Sequence, residues 1–235
     1  MSIYTIGDLH LSFHENKPMS IFGNNWEGHE EKVKKNWIEN VEENDLVVLP
    51  GDFSWSTYLK DTYEDFSYLN ELPGKKLLLK GNHDYWWTTL TSMRNFLNEN
   101  NFKNIDFIYN NSYEFENYAI TGTRGWVITE QADDKRLLNR ELARLELSLK
   151  EAKSKYEEKE IIVFMHYPPI TYNNISNNEP SDFVKLMMKY NVKKCYYGHL
   201  HSVSIKEAVE GKYFGIKFKL VSADGLDFKL LKIDD

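Results

Sequence analysis

Five short segments of this 235-residue chain concentrate the residue types that bind metal ions and transfer protons. They hold five of the seven histidines and read Asp8-Leu9-His10, Gly51-Asp52, Gly81-Asn82-His83-Asp84, His166 and Gly198-His199-Leu200-His201. Carboxylate, imidazole and amide groups together suit transition metals, whereas oxygen ligands alone would indicate Mg or Ca. These residue types predict a metal-dependent active site, provided that the fold brings them together.

Short apolar runs precede the five segments and predict the buried strands that position them. Residues 3–6, 46–49, 161–165 and 195–197 each lead directly into a segment, and residues 77–79 end one residue before the third. The carboxyl ends of parallel strands lie along one edge of a sheet. Residues that are distant in sequence are therefore expected to converge on one crevice.

Helical spacing of apolar residues alternates with these strands in the first half of the chain. Helices are predicted at 30–42 and 58–72, and the order strand, helix, strand, helix, strand favours a parallel sheet with right-handed crossovers. Further elements are predicted as helices at 88–99, 133–158 and 181–190, strands at 105–109 and 118–121, an Asn-rich loop at 172–178, and paired tail strands at 213–221 and 228–233 joined through Ala223-Asp224-Gly225.

Length and composition indicate one globular domain over residues 1–235. Apolar residues make up 41% and charged residues 28%, and the single cysteine, Cys195, has no partner for an internal disulfide. No stretch approaches the roughly 20 apolar residues that cross a membrane, and removing the first apolar run as a signal peptide would remove Asp8 and His10. We therefore expect a cytoplasmic protein. A net charge of -7 argues against nucleic acid as a partner.

A pair of divalent cations would explain why so many ligands are present. Two cations about 3.5–4 Å apart can clamp the attacking and leaving oxygens of a phosphoryl transfer, and this arrangement requires a shared anionic ligand. Asp52 is the natural bridge. The two cations carry more charge than Asp8 and Asp52 cancel, which favours a metal-bridging hydroxide near neutral pH and attracts a phosphate.

The order and content of the five segments resemble the calcineurin-like metallophosphoesterases, in particular the bacterial type. The resemblance implies an α/β fold with four layers, in which two mixed β-sheets are flanked by helices. It also implies two divalent metal ions, with Mn favoured and Fe, Zn or Co as alternatives. The first metal would take Asp8, His10, Asp52 and His201, and the second would take Asp52, Asn82, His166 and His199.

The resemblance further implies that His83 assists the leaving group and that Asp84 fixes the ring of His83. The expected activity is hydrolysis of a small phosphoester. The phosphoprotein phosphatase branch is disfavoured, because Gly51-Asp52-Phe53-Ser54-Trp55-Ser56 lacks the arginine of that branch. A phosphodiester is slightly favoured over a phosphomonoester. The alternative is a non-catalytic metal-binding scaffold, which should show substituted ligands or lack His83.

Aromatic residues near the motifs are candidate substrate contacts. Trp86 and Arg124 are assigned to substrate binding, and we expect at least one of Trp55, Trp86 and Trp126 to contact substrate. Packing in the core is the competing interpretation and is slightly favoured for each residue. The loop at 172–178 is a candidate rim or lid, and His14 and His29 match no motif and are assigned structural or surface roles.

Overall fold

The computed structural model describes residues 1–15, 17–127 and 132–233. Its strands are β1 (Ile3–Thr5), β2 (Leu46–Leu49), β3 (Lys75–Leu78), β4 (Ile105–Phe107), β5 (Ser112–Phe115), β6 (Tyr118–Thr123), β7 (Glu160–Met165), β8 (Lys194–Tyr197), β9 (Gly211–Tyr213), β10 (Ile216–Leu220) and β11 (Leu231–Ile233). Its α-helices are α1 (His29–Asn40), α2 (Tyr63–Glu71), α3 (Leu90–Glu99), α4 (Ala132–Lys155), α5 (Tyr172–Ser176) and α6 (Asp182–Lys189).

The strands form two mixed sheets. The first sheet has the order β11-β1-β2-β3-β4, in which β1 to β4 are parallel and β11 is antiparallel to β1. The second has the order β5-β6-β7-β8-β10-β9, with a parallel centre and an antiparallel strand at each edge. The parallel arrangement predicted for β1, β2 and β3 is therefore confirmed.

Three apolar clusters divide the molecule into four layers. Trp37, Phe66 and Leu97 pack between the first sheet and its helices α1, α2 and α3, on the side away from the second sheet. Val48 and Phe164 belong to a cluster that contains residues of both sheets. A third cluster packs the second sheet against α4 and α6. The order helix, sheet, sheet, helix confirms the four-layer sandwich that the resemblance implied.

Local sequence explains where several helices begin. The Thr89 side chain accepts a hydrogen bond from Ser92 N at the start of α3, and Ser181 accepts one from Val184 N at the start of α6. Helix α4 turns Leu145 and Leu149, both fully buried, towards the second sheet. Its apolar residues thus form one face, as the spacing predicts.

The two sheets meet at the edge where their parallel strands end. Gly7, just beyond β1, forms a parallel bridge with Ser222, just beyond β10. Gly7 N donates to Val221 O at 2.7 Å, and Ala223 N donates to Gly7 O at 3.0 Å. This bridge brings together the loops that follow β1 and β10.

The predicted pairing of the two tail strands is wrong. Strand β10 pairs with β8 and β9 in the second sheet, whereas β11 pairs with β1 in the first sheet. The segment predicted as one strand over 213–221 contains a hairpin, because Phe214 and Gly215 both have positive φ, at 50° and 80°. Strand β5 was not predicted.

The segment predicted as a loop over 172–178 begins with a short helix, α5. A capping box explains its helical start, because the Thr171 side chain accepts from Asn174 N while Thr171 N donates to Asn174 Oδ1. Sequence patterning missed the helix because its five residues, Tyr-Asn-Asn-Ile-Ser, carry no apolar stripe.

Candidate metal centre

The loops at the strand ends carry the ligand-type residues, as their sequence positions predict. Asp8 and His10 follow β1, Asp52 follows β2, and His199 follows β8. All four have left-handed backbones, with φ values of 59°, 47°, 51° and 74° in that order. Such conformations are costly for residues other than glycine and cluster at functional sites. The local backbone is therefore held in place by the surrounding fold.

A first group consists of Asp8, His10 and His201. His201 Nε2 lies 3.3 Å from Asp8 Oδ1 and 3.3 Å from His10 Nε2. Two nitrogen ligands placed 2.0–2.1 Å from one tetrahedral ion are separated by about 3.3 Å. The three side chains have the spacing of ligands to a common ion.

A second group lies beside the first and centres on His166. Its Nε2 lies 2.6 Å from Asn82 Oδ1, 3.2 Å from His199 Nδ1 and 3.5 Å from Asp52 Oδ2. Asp52 Oδ2 is also 3.7 Å from His10 Nε2 in the first group. Asp52 therefore lies between the two groups, where a bridging ligand would be required.

Hydrogen bonding on the far side of each ring tests whether a cation fits. His166 Nδ1 lies 3.2 Å from Pro50 O, which can only accept, so Nδ1 carries the proton and Nε2 presents a lone pair. That lone pair faces the carbonyl oxygen of Asn82. His201 Nδ1 donates in the same way to Asp224 Oδ1 at 2.9 Å, which leaves Nε2 towards Asp8 and His10. The opposed lone pairs of His166 and Asn82 suit a metal ion between them. At His201 burial is outweighed by Asp8 and Asp224, which raise the pKa of the ring to about 10, so a metal bound there would displace the proton of Nε2.

The electrostatics of the buried groups agree with this interpretation. Burial lowers the pKa of His166 to about 3, so its ring is neutral and free to bind a metal. Burial would raise the pKa of Asp8, but the charge and hydrogen bond of His201, together with His166 and His10, outweigh it, and the pKa falls to about 2. Burial, with Asp84 next, raises the pKa of Asp52 well above its usual value. A nearby positive charge would favour the ionised form of Asp52.

Two glycines make room for these carboxylates. A Cβ at Gly81 would collide with Asp52 Oδ1, and a Cβ at Gly198 would collide with Asp8 Oδ2. The backbone of each loop approaches a candidate ligand more closely than any other residue type would allow. The glycines in the Gly-Asn-His-Asp and Gly-His-x-His segments thus have a steric role.

Comparison with known families agrees with this geometry. A model of a protein family described as calcineurin-like phosphoesterase matches residues 1–203. The chain belongs to this family. No curated protein sequence matches the chain significantly.

Solved structures share the fold of this calcineurin-like phosphoesterase at low sequence identity. A protein of unknown function from Aquifex aeolicus is 20% identical, with 98% of this chain and 95% of the other covered and a TM-score of 0.53. A Thermus thermophilus protein is 11% identical, with coverages of 99% and 97% and a TM-score of 0.57. The phosphopantetheinyl hydrolase of Mycobacterium tuberculosis is 14% identical, with coverages of 94% and 88% and a TM-score of 0.54.

His83 lies beside the two groups, half-buried. Its backbone N donates to Asp52 Oδ1 at 2.8 Å, and its ring centroid lies 5.6 Å from that of His10. Burial lowers the pKa of His83, with the neighbouring His201 next. Its Nδ1 atom has no hydrogen-bond partner among the described residues.

Asp84 does not fix the His83 ring, which corrects the role implied by the resemblance. Its carboxylate instead accepts hydrogen bonds from Trp86 Nε1 and from four backbone N–H groups, those of Gly81, Asp52, Phe53 and Ser54, at 2.7–3.3 Å. Asp84 therefore ties the loop after β3 to the loop after β2. It positions Asp52 and Asn82 and does not touch the candidate acid.

Sequence reasoning missed Asp224, which holds a candidate ligand. Its Oδ1 accepts from His201 Nδ1 at 2.9 Å, and its Oδ2 accepts from Ser202 N at 2.8 Å. Carboxylates commonly orient metal-binding histidines through the ring nitrogen that does not bind the metal. The signal was an aspartate just beyond a strand at the same sheet edge, but the segment was interpreted only as a turn.

Trp86 is fully buried and packs on Phe66 and Phe107, so the expected substrate contact is corrected to a core position. Trp55 is different. It stacks on His10 at a centroid distance of 4.9 Å and lies 4.5 Å from the ring of His83. Of the three tryptophans, Trp55 lies against the candidate site itself.

Arg124 and Trp126 lie together on the β6 side of the crevice. The Arg124 guanidinium stacks over Trp126 at 4.5 Å, and Trp126 Nε1 donates to Asp134 Oδ1 at 2.9 Å. Arg124 O accepts from His166 N at 3.2 Å. Arg124 is thus attached to the candidate centre through the backbone.

The two remaining histidines lie outside both groups. His29 is buried, and its ring nitrogens lie 2.8 Å from Leu9 O and 3.1 Å from Trp26 O. The His14 side chain is 51% exposed. Within the described ranges, the model contains no helix long and apolar enough to cross a membrane.

Proposed function

We propose that this protein is a two-metal phosphoester hydrolase that acts on a small phosphoester, with a diester slightly favoured. The observation that carries the proposal is the convergence of nitrogen and oxygen ligand atoms in two adjacent groups that share Asp52. A chain that had kept only the fold would have no reason to preserve so costly a cluster of buried ligand atoms.

The candidate ligands fall into two sets, one for each metal ion. Asp8, His10 and His201 would hold one ion, Asn82, His166 and His199 would hold the other, and Asp52 would bind both. When bound, two divalent cations supply activation of water and neutralisation of charge on the phosphate oxygens. Mn is the proposed metal, because the mixed nitrogen and oxygen ligand set suits a transition metal.

His83 would assist the leaving group. Its ring lies at the edge of the ligand groups, and its Nδ1 has no hydrogen-bond partner among the residues that the structure describes. A positioned imidazole that donates a proton or a hydrogen bond to the departing oxygen contributes about 10²–10⁴-fold to the rate. Trp55 packs against the ring and would limit its rotation.

The deciding experiment screens the Mn-loaded protein against phosphomonoesters, linear and cyclic diesters and nucleotides. We expect Asp52→Asn to lose metal and activity together. We expect His83→Ala to keep both metals and to lower kcat about 10²–10⁴-fold on esters with poor leaving groups, and less when the leaving group is 4-nitrophenolate.

The control is Lys212→Ala, which removes an exposed lysine of β9 outside the site and should change neither metal content nor kcat. Full activity of His83→Ala on an ester with a poor leaving group would contradict the assigned role. Binding of two metals with no turnover of any ester class would indicate the scaffold alternative.

A further inference from the structure

A cavity lies beside the loops that follow β3 and β6, and four positively charged side chains line it. Its volume is about 310 Å³, and its lining includes Lys80, Arg124, Arg140, Arg144, Trp87 and Tyr109. No acidic side chain lines it among the residues that the structure describes. The cavity is at the small end of the range for sites that bind small molecules.

One carboxylate holds the arginines together. Glu141 on α4 is fully buried, and its Oε2 accepts from Thr123 Oγ1 at 2.7 Å. Its Oε1 lies 2.8 Å from Arg144 Nη1 but 3.6 Å from Arg124 Nη2 and 3.9 Å from Arg140 Nε. Of these three arginines, only Arg144 is close enough to Glu141 for a hydrogen bond.

The cluster therefore carries more positive charge than its own structure needs. A single Glu141 would be satisfied by one guanidinium, yet three surround it and Lys80 lies at the same cavity. Arg124 Nε is buried and has no hydrogen-bond partner among the described residues. Guanidinium groups are always protonated and present donors in a planar fork that matches a phosphate.

The cavity is connected to the candidate metal centre on two sides. Lys80 directly precedes the Gly81-Asn82-His83-Asp84 segment. Arg124 O accepts from Tyr167 N at 2.9 Å, and the ring of Tyr167 packs on His199 at a centroid distance of 4.2 Å. These contacts fix two parts of the cavity wall to segments that carry candidate ligands.

The geometry points to an anion subsite in which Lys80, Arg124, Arg140 and Arg144 bind a second phosphoryl group of the substrate, beyond the ester that is hydrolysed. This inference rests on the proposed function and narrows the substrate class to small phosphoesters that carry another phosphate or diphosphate. The sequence assigned only Arg124 to substrate binding. The cavity adds Lys80, Arg140 and Arg144, which belong to none of the five motif segments.

The first test measures binding without turnover. Pyrophosphate is titrated into the full chain, freed of metal by a chelator, at fixed ionic strength in a calorimeter. We expect Arg140→Ala/Arg144→Ala to raise the Kd at least tenfold. Arg136→Ala, which removes an exposed arginine of α4 that does not line the cavity, should leave the Kd unchanged. An equal Kd for the wild type and the double variant overturns the inference.

The second test uses turnover. Diesters of 4-nitrophenyl phosphate are made with alkyl chains of two to six carbons ending in either a phosphate or a hydroxyl. For at least one chain length we expect the KM of the phosphate-ended diester to be at least tenfold lower than that of the hydroxyl-ended diester. In Arg140→Ala/Arg144→Ala the two KM values should be equal. No preference at any length overturns the assignment to substrate.

The two proposals fail in different ways. If no ester is hydrolysed but pyrophosphate binding still depends on Arg140 and Arg144, the proposed function is wrong and the anion site stands. If esters are hydrolysed without a phosphate preference, only the subsite is wrong. Thermal melting checks that each variant folds, and Arg140→Glu, at a side chain that is 54% exposed, replaces the double variant if Arg144→Ala does not fold.

Discussion

At the scale of single residues, the centre depends on groups that do not themselves face the proposed metals. Pro50 O and Asp224 Oδ1 each accept from one nitrogen of a histidine and so direct the other nitrogen inwards. Asp84 acts in a similar way on the backbone, since it accepts from the N–H groups of Asp52 and Gly81. Such contacts fix the direction of a lone pair before any metal arrives.

Replacing Asp224 tests this interpretation. We expect Asp224→Ala to lower Mn affinity about 10–100-fold, because His201 Nδ1 loses its acceptor and the ring is free to turn. Asp224→Asn keeps an acceptor oxygen and should lose less. Affinity is measured by calorimetric titration of Mn into the metal-free protein.

Asp227→Ala is the matched control, since it removes an 83% exposed carboxylate three residues away. Its Mn affinity should equal that of the wild type. A wild-type affinity in Asp224→Ala would show that the ring of His201 is held by something other than Asp224.

At the scale of elements, α4 connects the core to the proposed anion subsite. One face of the helix buries Leu145 and Leu149 against the second sheet, while Arg144, directly before Leu145, lines the cavity and Glu141, one turn before Leu145, holds Arg144 in place. Because the apolar face fixes the rotation of the helix, it also fixes where the guanidiniums lie.

Leu149→Ala should destabilise the protein by about 2–5 kcal/mol, because it leaves a cavity in a fully buried part of the core. Leu147→Ala removes the same atoms from a side chain of the same helix that is 55% exposed, and should change stability by less than about 0.5 kcal/mol. Urea denaturation measures both. Equal effects of the two substitutions would contradict the position of α4.

At the scale of the whole molecule, folding and metal binding are coupled through the edge where the sheets meet. Asp8 comes from the first sheet, while His166 and His201 come from the second. Without positive charge between them, Asp8 and Asp52 are buried carboxylates whose desolvation opposes folding. An ion bound by both sheets should therefore stabilise the folded chain.

We expect Mn at about 100 times its Kd to add about 2.7 kcal/mol to the free energy of unfolding. For a chain of this length that corresponds to a rise in Tm of roughly 5–10 °C. The comparison is a thermal melt with Mn and with a chelator, and Asp52→Asn should remove most of the difference. A Tm that does not respond to Mn would contradict a metal site made by both sheets.

The sequence by itself determined the candidate ligand residues, the order of the early strands and the family resemblance. Asp8, His10 and Asp52 stand directly after apolar runs, and strand ends share an edge in any parallel sheet, so their approach needed no knowledge of the second sheet. The positions of the early strands and helices could be predicted from the sequence, because the periodicity of apolar side chains is a local property of the backbone.

Only the tertiary structure decided which distant segments meet. The pairing of β11 with β1, the contact of Asp224 with His201 and the burial of Trp86 all depend on contacts across the chain. The cation-lined cavity is of the same kind, since Lys80, Arg124 and Arg144 come from three separate elements. The type of a residue and its neighbours in sequence do not determine these contact partners. Packing energy depends on many residues at once, and only the complete fold brings them together.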